Sequence, residues 1–108
     1  MTSPLFSIPI APVGEQHPGG SVVCTEPADR VYLLTWTSPP DNRLTTPFCA
    51  AVLDALDRIE FGGYAPGVVV TTSGVAKFYS NGLDLGHAVN TPGFFTGSLY
   101  KLFTRFLT

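Results

Sequence analysis

The chain has 108 residues, 44% hydrophobic and 13% charged, with six Lys plus Arg against eight Asp plus Glu. That length allows one domain at most, and so low a charged fraction beside eight Phe and four Tyr argues against disorder. A formal charge of −2 excludes electrostatic nucleic-acid binding, which needs a basic patch, but leaves room for a small anionic ligand held by one or two local cations.

In chain order, residues 1–20 are rich in Pro and Gly and read as an irregular arm, with a short extended piece from Leu5 to Ile10. Met1 to Val13 has no Lys or Arg and contains three prolines, a poor match to a signal peptide. Ser21 to Glu26 and Val31 to Thr37 are β-forming, and Pro27 to Arg30 supplies a turn between them, so an antiparallel hairpin is expected at a sheet edge. Ser38-Pro39-Pro40-Asp41-Asn42 breaks the second strand. Thr46 and Pro47 read as N-cap and first residue of a helix, with Phe48, Val52, Leu56 and Ile59 on its apolar face and an end near Glu60, before Gly62-Gly63. The unbroken apolar run Gly67 to Thr72 predicts a central parallel strand, hence a right-handed βαβ unit. A turn-rich stretch from Ser73 to Gly86 leads to a last amphipathic helix from Phe95 or Thr96 to Leu107, with Leu99, Leu102, Phe103 and Phe106 on one face.

The expected class is therefore α/β: an edge hairpin, a βαβ unit and a terminal amphipathic helix. No apolar run approaches the ~20 residues of a membrane span. Cys24 and Cys49 lack a CxxC or His partner, so two reduced, partly buried thiols and no metal site are expected. A chain this apolar fits a sheet covered on both faces; such domains are usually longer, which points to part of a larger fold.

The stretch that carries chemistry is Lys77-Phe78-Tyr79-Ser80-Asn81-Gly82-Leu83-Asp84-Leu85. It follows the carboxyl end of a buried strand, where open sheets place their ligands. Ser80 and Gly82 let main chain approach a ligand, and Gly82 can take positive φ, turning the following N–H groups outward. Asp84 can accept main-chain hydrogen bonds or cap a short helical turn. This makes a candidate site built from backbone amides; the plain alternative is a strand-to-helix loop with Gly at its turn.

The run VVVTTSGVAKFYSNGLDL resembles the first-half signature of the crotonase superfamily, the enoyl-CoA hydratase/isomerase family, whose loops read K-F-F-S-N-G-x-D-L or A-F-S-A-G-x-D. Pro39-Pro40-Asp41-Asn42-Arg43-Leu44 is similar to the family's P-x-x-N-x-L loop, and the SNGLDL form is similar to that of its peroxisomal delta-3,delta-2-enoyl-CoA isomerases. The resemblance covers residues 21–108, leaving 1–20 as the arm, and implies part of a crotonase-like ββα spiral fold. It implies that the Leu83 N–H donates to the thioester oxygen of an acyl-CoA as one half of an oxyanion hole. Ser80, Asn81, Gly82, Asp84, Leu85 and Gly86 would line that site, Arg43 and Leu44 would lie along the CoA moiety, and Arg43 or Lys77 would meet a CoA phosphate. No cofactor is implied beyond the coenzyme A of the substrate. A trimer or hexamer and a peroxisomal role in fatty-acid β-oxidation follow from the same likeness.

The family's second oxyanion donor and catalytic glutamate fall later than Thr108, and no acidic residue present matches their order. The resemblance therefore implies the N-terminal portion of an isomerase-like enzyme, without turnover by itself. A hydratase, a non-catalytic remnant that binds acyl-CoA or docks on a full-length partner, and an unrelated small α/β domain are the alternatives. The last predicts no large exposed apolar surface, whereas a partial fold predicts one.

Overall fold

The computed structural model describes residues 3–107. One four-stranded mixed sheet, in the order β1-β2-β3-β4, is built from β1 (Phe6–Ile10), β2 (Gly20–Ala28), β3 (Val31–Thr37) and β4 (Val68–Ser73). The first three strands are antiparallel neighbours and β4 lies parallel to β3, so the α/β class and the strand–helix–strand order are as expected. Three α-helices accompany the sheet: α1 (Thr46–Phe61), α2 (Leu85–Asn90) and α3 (Tyr100–Leu107), the last continuing a π-helical stretch, Phe94–Leu99. No helix among the described residues is long and apolar enough to cross a membrane.

Strand alternation decides which side chains enter the core. Ile8 and Ile10, Val22 and Cys24, and Tyr32, Leu34 and Trp36 all point to one face and are buried there. The same pleat leaves Val23, Thr25, Leu33 and Thr35 half-buried on the other face. Against the first face α1 lays Phe48, Val52, Ala55, Leu56 and Ile59, spaced as a helix requires, and keeps Asp54, Asp57 and Arg58 in solvent. Trp36 meets Phe48 edge to face, with ring centroids 5.6 Å apart. Leu99 and Leu102 close the core beside α1, and Arg105 of α3 reaches Asp57 and Glu60 on it.

Several expectations need correction. The hairpin is β2–β3, but it occupies the middle of the sheet, because the extended piece in the N-terminal arm pairs along β2 from Phe6↔Cys24 to Ile10↔Gly20. The valine run is the edge and not the centre: Val68, Val69 and Val70 are 59%, 40% and 43% exposed. Among the described residues no strand pairs with the outer side of β4, so its continuous apolar pattern records an apolar strand without the cover such a pattern usually has. The helix cap is Thr45, whose Oγ1 accepts from the Phe48 N–H at 3.3 Å; Thr46 and Pro47 are the first two helical residues. The Thr46 hydroxyl is engaged elsewhere, 2.8 Å from His87 Nε2. The last helical segment begins at Phe94, after Gly93 at φ 78°, and its first turns are π-type. Of its expected apolar face, Leu99 and Leu102 are buried, whereas Phe103 and Phe106 remain 53% and 47% exposed.

Thr45→Ala removes one capping bond from the helix that covers the sheet. It is expected to lower the unfolding free energy by about 1–2 kcal/mol, measured as a shift of the urea midpoint at unchanged slope.

Candidate functional site

The loop after β3 and the loop after β4 are laced together by one side chain. Asn42 is fully buried, at 0% exposure, and sits at φ 54°, a left-handed conformation Asn tolerates better than most residues. Its Oδ1 accepts from the Ser38 N–H at 2.7 Å. Its Nδ2 reaches Ser73 Oγ at 2.7 Å and the carbonyls of Tyr79 at 3.0 Å and Phe78 at 3.3 Å. The Ser80 hydroxyl donates to the Asn42 carbonyl at 2.9 Å, and the Asn81 N–H donates to the Asp41 carbonyl at 2.9 Å. Trp36 Nε1 adds a bond to the Tyr79 carbonyl at 2.9 Å. Two segments about forty positions apart thus form one polar layer at the carboxyl ends of β3 and β4.

That layer aims the backbone of Leu83. Gly82 has φ 80°, and the Leu44 N–H donates to its carbonyl at 2.9 Å. Because the peptide is trans, a carbonyl directed at Leu44 sends the Leu83 N–H the opposite way. Leu83 makes an isolated parallel bridge with Leu44, and its own carbonyl accepts from Arg43 Nη1 at 2.9 Å. In extended backbone the N–H and C=O of one residue face the same side, so the amide lies on the guanidinium's side of the chain. Among the described residues no acceptor takes the Leu83 N–H.

Next along the chain, Asp84 caps α2: its Oδ1 accepts from the His87 N–H at 3.0 Å, while Oδ2 is bonded to His17 Nε2. The His87 N–H first, and then His17, hold this carboxyl below the ordinary carboxylate range. Asp41 is also held low, by the Asn81 side chain and then by Arg43, whose Nε lies 3.0 Å from Oδ2; its buried Oδ1 takes no hydrogen bond. Burial pushes the Cys24 thiol up, and Cys49 up to about 11, so neither supplies a thiolate near neutral pH. Both cysteines are free and buried.

Of the residues singled out in the sequence, Arg43, Leu44, Ser80, Asn81, Gly82, Leu83, Asp84 and Leu85 come together. A cleft of about 470 Å³ is lined by His17, Asp41, Arg43, Asp84 and Leu85, and a second of about 430 Å³ by Glu15, His17, Asp84, Gly86 and His87. Ser80, Leu44, Trp36, Phe48, Phe103 and Phe106 line an apolar cavity of about 270 Å³ between the sheet and α3. Lys77 stands apart, exposed, with its ammonium 6.0 Å from the Phe78 ring centre. Ser80 and Asn81 use their polar atoms to hold the loops together. Sequence reasoning missed Asn42 and His17. The signal for Asn42 was a lone amide directly after a proline-rich strand break; for His17 there was none, since its partner lies 67 positions away. Comparison of the chain with family models, with curated proteins and with solved structures returned no match.

Asn42→Ala leaves the Ser38 N–H without its partner and takes one donor from Ser73 Oγ and the Phe78 and Tyr79 carbonyls, and is expected to cost about 2–4 kcal/mol of stability, read by urea unfolding. Asn42→Asp should be at least as damaging at neutral pH, because a carboxylate oxygen replaces the amide that faces the Phe78 and Tyr79 carbonyls. Asp84, whose folded pKa lies below the unfolded value near 4, contributes stability that is complete above that value and is lost as pH falls through the folded one. Asp84→Asn should therefore flatten the acid limb of the stability curve below pH ~4, measured as the urea midpoint against pH.

Proposed function

We propose that this protein binds an acyl-CoA thioester at the loop after β4 and stabilises its enolate, in the manner of an enoyl-CoA isomerase that moves a double bond from C3 to C2. The observation that carries the reading is the Leu83 N–H: a backbone donor without an acceptor among the described residues, turned away from Leu44 by a Gly82 conformation that glycine favours. A thioester α-proton is weakly acidic, and removing it places charge on the thioester oxygen. A preorganised N–H aimed at that oxygen is worth about 3–4 kcal/mol in the transition state. The Leu83 side chain is not involved, so backbone geometry alone performs this part of the chemistry.

Three further features support the reading. The loop lies beyond the carboxyl ends of parallel strands, where open sheets bind ligands. Arg43 keeps part of its guanidinium at the cleft, placed to meet a phosphate of coenzyme A. The cavity beside Ser80 offers an acyl chain an apolar lining. The exposed Val68, Val69, Val70, Phe103 and Phe106 match the apolar surface expected of a partial crotonase-like fold better than that of a self-contained small domain. A peroxisomal setting and a trimeric or hexameric assembly belong to the same proposal.

Acetoacetyl-CoA tests it, because its enolate carries the charge the site is proposed to stabilise. Saturable binding with a rise in enolate absorbance is expected. Leu83→Ala should reproduce it, and Leu83→Pro, which lacks the N–H, should lose the enolate signal by about tenfold or more. Absence of binding, or an undiminished enolate signal in Leu83→Pro, would overturn the proposal.

A further inference from the structure

The two edges of the sheet differ. β1 contains Pro9, which has no N–H to offer a ladder, and is flanked by Pro4 and Pro12. β4 has no proline and no shift of register, and from Phe61 to Ala76 the chain carries no Lys, Arg, Asp or Glu. The parallel ladder fixes which backbone groups of β4 are spare. The Val68 N–H donates to the Arg30 carbonyl and the Gly74 N–H to the Trp36 carbonyl, each at 2.9 Å. Even-numbered residues from 68 to 74 therefore bond β3, and Val69, Thr71 and Ser73 turn both N–H and C=O outward. Among the described residues nothing pairs with those groups. The side chains above and below this edge are apolar and open. Val69, in register with Tyr32, lies on the face that α1 covers, and Val68 and Val70 lie on the other. Beside Thr71, the half-exposed Tyr79, Phe103 and Phe106 extend the apolar surface on the α1 side. Those three rings alone offer on the order of 300 Å². With the valines and the strand backbone, two copies together reach the ~1,000 Å² of total surface that a specific interface needs.

We infer that β4 is the surface at which two copies of this chain pair, edge to edge and antiparallel, about a two-fold axis at Val70. The register follows from the spare groups. Val69 meets Thr71 of the partner copy, each donating to and accepting from the other, and the two-fold repeats the pair, so four hydrogen bonds form around the axis. Val70 then faces its own copy in the close, non-hydrogen-bonded position, with Cα atoms ~4.5 Å apart, and Val68 lies opposite Thr72. The register with Thr71 on the axis sets Val70 against Thr72 and Val68 against Gly74, and so brings fewer valines together. A strand without charge can pair with itself, because no like charges come opposite one another. One sheet of eight strands results, with the proline-bearing β1 at both ends, so the pairing stops at two copies. This inference does not rest on the acyl-CoA reading, since the outer edge of β4 and the Leu83 amide use different atoms.

Sedimentation equilibrium and cross-linking of the full chain, without any ligand, test this. A dimer that dissociates on dilution through micromolar concentrations is expected. Val70→Lys puts two like charges at the axis, and Val69→Pro removes an outward N–H while leaving the ladder to β3 in place. Each should raise the dimer dissociation constant at least about 100-fold with the far-ultraviolet circular dichroism retained. On mild oxidation Val70→Cys should form a disulfide between copies, because Cα atoms ~4.5 Å apart lie within disulfide reach. Val68→Cys should not, since residue 68 and its copy stand out of register; the native Cys24 and Cys49 are buried. A monomer at every concentration leaves the edge to a strand of different sequence and overturns the inference. So do species only larger than a dimer, a dimer that either substitution leaves intact in a folded chain, and cross-linking by Val68→Cys as complete as by Val70→Cys. If Val70→Lys and Val69→Pro both lose their fold, cross-linking by Val70→Cys and not by Val68→Cys upholds the inference, and its absence overturns it.

Discussion

The buried side chain of Asn42 is the constraint on which the site depends. Two loops leave the same end of the sheet, one after β3 and one after β4, and nothing in the strands obliges them to meet. A single amide, with an acceptor on one side and two donors on the other, bonds both. In a site without solvent each of those groups would be costly to leave unpaired, which is why one residue can set the path of two loops. The Ser80 hydroxyl and the Asn81 N–H extend the lacing, and the Leu44 N–H, next in line, takes hold of the Gly82 carbonyl.

From that hold the direction of one N–H follows by peptide geometry. Magnitude separates this feature from the more conspicuous ones. The Arg43–Asp41 and Arg58–Asp54 pairs are both partly solvated and worth little to stability. Under the proposed function, an amide fixed in place and aimed at a developing oxyanion would be worth several kcal/mol to the reaction because no reorganisation is needed when the charge appears. The same end of the molecule gathers His17 of the N-terminal arm against Asp84, the residue that follows this amide. The electrostatics are local, and the net charge of the chain has no part in them.

The sheet itself is unevenly dressed. One face is packed by α1 and the segment from Phe94 to Leu107, while the opposite face is only half-buried and β4 shows three valines at an edge that no strand among the described residues covers. β4 has none of the lysine, proline or bulge that protects edge strands, so its unpaired N–H and C=O groups are open to another strand. High hydrophobicity in so short a chain therefore reflects apolar surface retained outside the core as much as apolar volume within it.

Strand alternation at Ile8–Ile10, Val22–Cys24 and Tyr32–Trp36, the helical spacing of Phe48, Val52, Leu56 and Ile59, and the freedom of Gly82 were all legible in the residues, because each depends on neighbours within a few positions. The mixed α/β architecture and the loop that carries the candidate site follow from those local periodicities. Which strand became the edge, which of two threonines caps α1, and how α3 turns its phenylalanines were decided by packing across the chain. So were the burial of Asn42 between two loops and the meeting of His17 with Asp84, since a hydrogen bond between residues 67 positions apart has no local pattern to announce it. Short-range periodicity determined the elements; the candidate site is assembled because long-range hydrogen bonds, centred on the buried Asn42, compel distant loops to share one polar layer.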